Sequence, residues 1–331
     1  MSILDARKKS VVHIECATSE NSLIKQTSQI KDLWRKLDAK EISFEEFSSL
    51  VMNITFRNLR SQGTAIILQY NNHRYLVTAQ HVVKKQQKDE WEIKDSIQNL
   101  IFRVPSLDEV LMHELPYPQY SFDNLGNIFT DDTFPIPLMN LGAGPSGISP
   151  YTFSDPELDL AIISLDQRDT LFANQLLSLG YIPITVEDIG DEPSAEGAYV
   201  FSIGYPSATA LITSLNLPRP VQNWMSSFVS TPTFSFGRVA MLHERLPFYW
   251  CDISIYPGNS GGPIYENGIL VGVVSAQPVL QSEILSKNTN MEQPFVARTR
   301  IPFGKIIKAK FIKDLLDIQI RKDNILRDPL K

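Results

Sequence analysis

Three residues of this chain combine useful chemistry with telling neighbours: His81, Asp159 and Ser260. A hydroxyl attacks an acyl carbon effectively when four parts converge. These are the hydroxyl, a base to take its proton, a carboxylate to orient that base, and N–H donors to hold the oxyanion. Ser260 lies in PGNSGGPIY (257–265), where flanking glycines let the backbone turn sharply and bring bare N–H groups toward a substrate carbonyl. The N–H groups of Gly258 and Ser260 are the natural pair for that task. His81 follows LVTAQ at the end of an apolar strand, and Asp159 opens the apolar run DLAIISL.

Each residue taken alone has a plainer explanation. A lone histidine among apolar residues is more often a hydrogen-bonded core side chain. An acid before a buried strand is often only a turn residue, and glycine-rich turns are common. Context narrows the choice. Of the five histidines, His73 abuts a hairpin turn, His113 lies in an irregular stretch, His243 is in a polar loop, and His13 sits mid-strand. Asp155 and Asp166 are the other candidates for the orienting carboxylate, but neither introduces an apolar strand as Asp159 does. The order His, Asp, Ser weighs more than any single member. The segment around Ser260 also fits G-x-S-x-G, the nucleophile elbow of α/β-hydrolases, but that fold needs its histidine after the serine and none follows His243. A subtilisin order would need Asp before His, together with alternating helices that the pattern lacks.

The elements that must position these groups read as short strands. SVVHIEC (10–16) alternates, with Val12, Ile14 and Cys16 on one face and His13 and Glu15 on the other. GTAIILQY (63–70) and HRYLVTA (73–79) flank Asn71-Asn72, a two-residue hairpin turn. DLAIISL, AYVFSIGY, TFSFGRVAML, PIY, ILVGVVSA and FVARTRIPF follow, and Asn267-Gly268 is a strong hairpin signal. Many short strands joined by turn residues indicate barrels or sandwiches. Three insertions interrupt them. Residues 20–57 read as helical, with Ser43 and Glu46 forming a capping box. Residues 84–157 are rich in Pro, Gly, Asp and aromatics, and 206–231 form a Pro- and Ser-containing loop. DAKEISFEEF (38–47) has the cadence of a calcium loop, but Arg35, Leu37, Ala39 and Lys40 stand where acids and a glycine are required, so no metal is expected. Residues 304–325 read as a Lys-rich amphipathic helix with a solvated polar face.

Of the 331 residues, 43% are hydrophobic and 21% charged, an ordinary globular composition. A net charge of −6 gives no reason to expect nucleic-acid binding, and no apolar run reaches the roughly 20 residues that span a bilayer. MSILDARKKS has no apolar stretch after its charges, so no secretory leader is expected. Cys16 and Cys251 are expected to be buried free thiols, and together these features favour the cytoplasm.

VTAQHVV (77–83), DLAIISL (159–165) and CDISIYPGNSGGPIY (251–265) resemble the three catalytic blocks of bacterial trypsin-like peptidases, in particular the HtrA/DegP branch. GYP (204–206), FGRVA (236–240) and RIPFGKIIK (300–308) are similar to that branch too. The resemblance implies an all-β-dominated chain of two antiparallel six-stranded β-barrels, the trypsin/chymotrypsin fold, with the site in the cleft between them. It also implies a helical insertion near the N-terminus and a C-terminal helix. The peptidase then spans 1–303, with an N-terminal barrel over about 10–166 (inserts 20–57 and 84–157) and a C-terminal barrel over about 175–303. Residues 304–331 form the helix and tail. Too few residues follow Pro302 for the PDZ domain usual in that branch. By resemblance, Ser254 is the floor of the substrate pocket and Ser275, Ala276 and Gln277 its wall. A serine floor favours apolar side chains, and Ser275 is expected to hydrogen-bond Asp159. Asn259 replaces the aspartate that pancreatic-type enzymes pair with a new N-terminus, so activation is expected to involve a ligand, partner or oligomer. The expected function is a serine endopeptidase acting without a cofactor on an intracellular protein or peptide substrate. A catalytically silent scaffold of the same fold is the alternative.

Overall fold

The computed structural model describes residues 2–17, 29, 32–56, 61–88, 93–97, 100–103, 138–141, 147–167, 170–206, 232–284 and 295–327. A short helix α1 (Ile3–Lys8) leads into strand β1 (Val11–Ala17). A helical stretch over 32–38 and helix α2 (Phe44–Phe56) follow, and the Glu46 N–H donates to Ser43 Oγ at 3.1 Å, the expected cap. Strands β2 (Ser61–Tyr70) and β3 (His73–Ala79) form a hairpin whose two turn residues, Asn71 and Asn72, have φ of 47° and 63°. Asparagine accepts that left-handed geometry better than most residues, because its short amide can bond locally.

The next elements extend or flank this hairpin. They are the helical turn α3 (Gln80–Val83) and strands β4 (Lys84–Lys88), β5 (Ile93–Ile97), β6 (Leu100–Arg103), β7 (Leu138–Asn140), β8 (Tyr151–Phe153) and β9 (Leu160–Ser164). The N-terminal sheet runs β7-β6-β1-β2-β3-β9-β8, and β10 (Ile184–Thr185) adds a parallel pairing on β2. Among the described residues this eight-stranded sheet is open, where a closed six-stranded barrel was expected. The difference lies in 84–157: β6, β7 and β8 come from that stretch and pair onto the edges of the sheet.

The C-terminal body closes fully. Its barrel has the order β11 (Tyr199–Gly204), β12 (Thr233–Met241), β13 (Phe248–Asp252), β18 (Phe303–Lys308), β15 (Ile269–Ala276) and β14 (Pro263–Glu266). Asn267 and Gly268 make the β14–β15 turn with φ of 50° and 85°. A separate ribbon pairs β16 (Val279–Ile284) with β17 (Phe295–Arg300). Residues 304–308 are strand, not the start of the terminal helix. Ile306 and Ile307 are fully buried on opposite faces of β18, a period-two pattern that a helix cannot serve. The expected insertion over 206–231 has all but its first residue outside the described residues.

Helix α5 (Lys310–Arg327) crosses from the barrel to the N-terminal sheet. Ile312, Leu315 and Leu316 enter a core shared by both bodies, with Val11, Ile66, Val77 and Ile162 from the sheet and Ile203, Leu270, Val273 and Ile307 from the barrel. Burial of each such side chain contributes about 1.5–3 kcal/mol. Further along α5, buried Gln319 accepts from Thr152 Oγ1 and buried Asp323 accepts from Ser164 Oγ, each at 2.8 Å. Cys16 and Cys251 are buried free thiols, as expected, in two different cores.

A second helix, α4 (Leu171–Ser178), covers the far face of the N-terminal sheet through Phe172, Ala173 and Leu176. The face toward the barrel carries a polar exception. His13 is buried and stacks on Tyr205 with centroids 5.1 Å apart, and among the described residues neither ring nitrogen has a hydrogen-bond partner. Burial pushes its pKa from the ordinary 6.5 down to about 3. The folded state therefore resists a proton that the unfolded chain accepts. The associated stability is fully present above about pH 6.5 and declines as pH falls toward 3, by on the order of 4–5 kcal/mol over the whole window. We expect His13→Phe, which keeps the stacked ring, to flatten the fall in melting temperature between pH 6.5 and 4. Parallel wild-type and variant curves would contradict this.

Candidate active site

The β3–β9 pairing builds the first half of the site. Ala79 lies opposite Leu160, so the residues just past the end of β3 face those just before β9. The Gln80 N–H donates to the Asp159 carbonyl at 2.9 Å, and the His81 N–H donates to Asp159 Oδ1 at 3.0 Å. The His81 ring nitrogen Nδ1 stands 2.8 Å from Asp159 Oδ2. A carboxylate only accepts, so this contact puts the proton on Nδ1 and leaves Nε2 free to act as a base. Val82 and Val83 are buried and anchor the helical turn α3, while the His81 side chain remains half exposed.

Asp159 reaches this position through a left-handed backbone, with φ of 49°. Aspartate tolerates that conformation better than most residues. Its carboxylate also accepts the Ser275 hydroxyl, 2.7 Å from Oδ2. Three donors therefore converge on one carboxylate from two parts of the chain. The expected Ser275–Asp159 bond is present. Asp166, one of the alternative carboxylates, is instead committed to a multidentate ion pair with Arg74.

The second half is the Ser260 turn. Gly258 and Gly261 take φ of 98° and 83°, which only glycine adopts without strain. The Gly262 N–H closes the turn onto the Asn259 carbonyl, and the Gly261 N–H ties it to the Val274 carbonyl, both at 2.8 Å. Among the described residues, neither the Gly258 nor the Ser260 N–H donates to a backbone carbonyl, which leaves both available to an incoming oxyanion. Ser260 Oγ lies 3.4 Å from the Ser275 carbonyl, a long contact. Ser275 thus touches the Asp159 carboxylate with its hydroxyl and the Ser260 hydroxyl with its carbonyl.

Other residues singled out from sequence fall in different places. Gln277 donates Nε2 to the Ile301 carbonyl at 3.0 Å, and its buried Oε1 has no partner among the described residues. Ser254 and Ala276 are exposed and make no hydrogen bond to His81, Asp159 or Ser260. Asn259 is buried, and among the described residues its Oδ1 has no partner. His113 lies outside the described residues. Sequence reasoning passed over Thr64, a buried hydroxyl in β2 that bonds the Ser260 turn. The signal was a hydroxyl at the head of the buried run TAIIL within β2.

Residues 143–273 match a family model described as a trypsin-like peptidase domain. The match supports a trypsin-like serine peptidase family. It spans Asp159 and Ser260, while His81 lies before it and Ser275 just after it, so both rest on the geometry above. A search among curated proteins gives no match.

Gly261 offers a direct check on how tightly this turn is held. A Cβ there would sit 2.2 Å from the Thr64 carbonyl oxygen and 2.2 Å from Thr78 Oγ1. Gly197 also has positive φ, at 80°, but a Cβ there would meet nothing within 4 Å. Gly197→Ala is therefore expected to cost only the backbone penalty of about 1–2 kcal/mol. Gly261→Ala should cost about 3 kcal/mol or more, because overpacking adds to strain. Urea denaturation of both variants decides, and equal losses would refute a tightly packed turn.

Proposed function

We propose that this chain is a serine endopeptidase of the trypsin-like kind. The observation that carries the reading is the Asp159 carboxylate, which holds the His81 ring at Nδ1 and the hydroxyl of Ser275, whose carbonyl in turn contacts Ser260 Oγ. On this reading Asp159 fixes the tautomer and orientation of His81, and the free Nε2 takes the Ser260 proton. The serine oxygen adds to the substrate carbonyl, and the negative oxygen that forms is met by the Gly258 and Ser260 N–H groups. The imidazolium returns its proton to the leaving amine, which departs and leaves an ester on Ser260. Water, deprotonated by the same imidazole, then hydrolyses that ester.

The finer assignment follows the motif resemblance: a two-barrel peptidase near the HtrA/DegP branch, cutting a protein or peptide chain beside an apolar residue. Ser254, Ser275, Ala276 and Gln277 are proposed to border its substrate pocket. Two buried, unpaired cysteines are in keeping with work in a reducing compartment, and we propose the cytoplasm.

Labelling with a fluorophosphonate probe tests the assignment. Wild type is expected to react at Ser260, and Ser260→Ala to lose both labelling and hydrolysis of a peptide library. Asp159→Asn should fold normally yet lose about 10⁴ in kcat, because the imidazole then favours the wrong tautomer. An unlabelled wild type, or undiminished labelling of Ser260→Ala, would overturn the proposal.

A further inference from the structure

The Ser260 turn presents a physical problem that its own sequence does not solve. Two of its residues, Gly258 and Gly261, take positive φ, and glycine imposes the least restriction of any residue on where the chain goes next. At its centre, buried Asn259 has no hydrogen-bond partner for Oδ1 among the described residues. Yet the N–H groups of Gly258 and Ser260 serve an oxyanion only if the peptide planes that carry them are fixed before the substrate arrives.

The fixing groups come from the opposite sheet. Thr64, fully buried in β2, donates its backbone N–H to the Ser260 carbonyl at 2.8 Å. Its hydroxyl donates to the Gly258 carbonyl, also at 2.8 Å. The same hydroxyl accepts the Tyr205 N–H at 3.1 Å, so its proton is directed toward Gly258. The Thr64 carbonyl in turn accepts from Thr78 Oγ1 at 2.8 Å. Thr64 thus holds one carbonyl on each side of Asn259, and the peptide plane between them is pinned by the Gly262 N–H on the Asn259 carbonyl. Close packing keeps this brace short: a Cβ on neighbouring Gly63 would lie 3.0 Å from the Ser260 carbonyl oxygen and 2.6 Å from Val82 Cγ2. Behind Thr64, its register partner His13 stacks on Tyr205, whose hydroxyl bonds the Val11 carbonyl. The brace therefore stands on a rigid, buried base.

We propose that Thr64 is a positioning residue of this site: its hydroxyl, reaching across from the N-terminal sheet, sets the Gly258–Ser260 turn in its oxyanion-binding form. The proposal rests on the peptidase reading above. Thr64 touches no reacting atom, so its loss should lower the rate of the chemical step while leaving substrate affinity nearly untouched. Small displacements of such donors are costly, on the order of 10²-fold for about 1 Å.

The test uses the full chain and a fluorophosphonate probe, with labelling followed at several probe concentrations. Thr64→Val, which keeps the shape and the backbone bond but removes the hydroxyl, is expected to lower the maximal labelling rate by about 10- to 100-fold. The half-saturating concentration should change by less than about 2-fold. Thr64→Ser, which restores the hydroxyl, should recover most of the rate. Valine removes the bonds that the Thr64 hydroxyl makes to the Tyr205 N–H and the Gly258 carbonyl, so rates are scored on the folded fraction measured by circular dichroism. Thr64→Ala, which leaves room for a water on both groups, carries the test if the valine variant does not fold. Folded Val or Ala variants that label as fast as wild type would overturn the Thr64 proposal alone. A serine variant that stays as slow as valine would also overturn it. A wild type that fails to label would overturn the peptidase reading beneath it.

Discussion

The Asp159 carboxylate is the point on which the site turns. It receives the His81 N–H, the His81 ring and the Ser275 hydroxyl, and hydrogen bonds to an ionised acceptor are about twice as strong as neutral ones. What brings those donors together is strand register. Leu160–Ser164 is buried throughout, and so is the stretch Tyr75–Ala79 opposite it. A slip of one residue between these strands would turn every side chain to the wrong face. The core that forbids the slip therefore also sets the distance from His81 to Asp159, and the geometry of this contact is inherited from packing.

The labour is divided between two bodies. The open sheet carries His81, Asp159 and Thr64, while the closed barrel carries Ser260, Ser275 and the glycine turn. Neither holds a complete site. Their shared apolar core joins the two bodies, and α5 reinforces the joint by burying its apolar face in that core and bonding Thr152 and Ser164 with Gln319 and Asp323. Contacts across the boundary are thus both structural and chemical. Ser275 meets Asp159, and Thr64 meets Gly258 and Ser260.

Much of this arrangement was legible in the sequence wherever local chemistry dictates structure. Asn71-Asn72 and Asn267-Gly268 are turns because those residues accept positive φ, and both hairpins are present. Ser43 caps its helix because its hydroxyl can meet the Glu46 N–H. The contexts of His81, Asp159 and Ser260 were equally plain, since each joins a strand end to a polar group. What escaped was nonlocal. LIFR, LMN and YTF are too short to show a period, and only their partners on the sheet edges make them strands. Gly304–Lys308 looked like the opening of a lysine-rich helix because the apolar pair Ile306-Ile307 suits either element; the barrel's need for a closing strand decides it. Thr64 and His13 gave only a hint, a polar side chain beside buried apolar ones, and the meaning of each depends on a neighbour nearly two hundred residues away.

The central claim is that two bodies assemble one acyl-transfer site, in which the Gly258 and Ser260 N–H groups await an oxyanion. A crystal structure of the protein after reaction with a fluorophosphonate tests it most directly. The account predicts phosphorus bonded to Ser260 Oγ, with the phosphonyl oxygen at about 2.7–3.1 Å from the nitrogens of Gly258 and Ser260. His81 Nδ1 should remain on Asp159. Phosphorus on another side chain, or a phosphonyl oxygen turned away from both N–H groups, would contradict it.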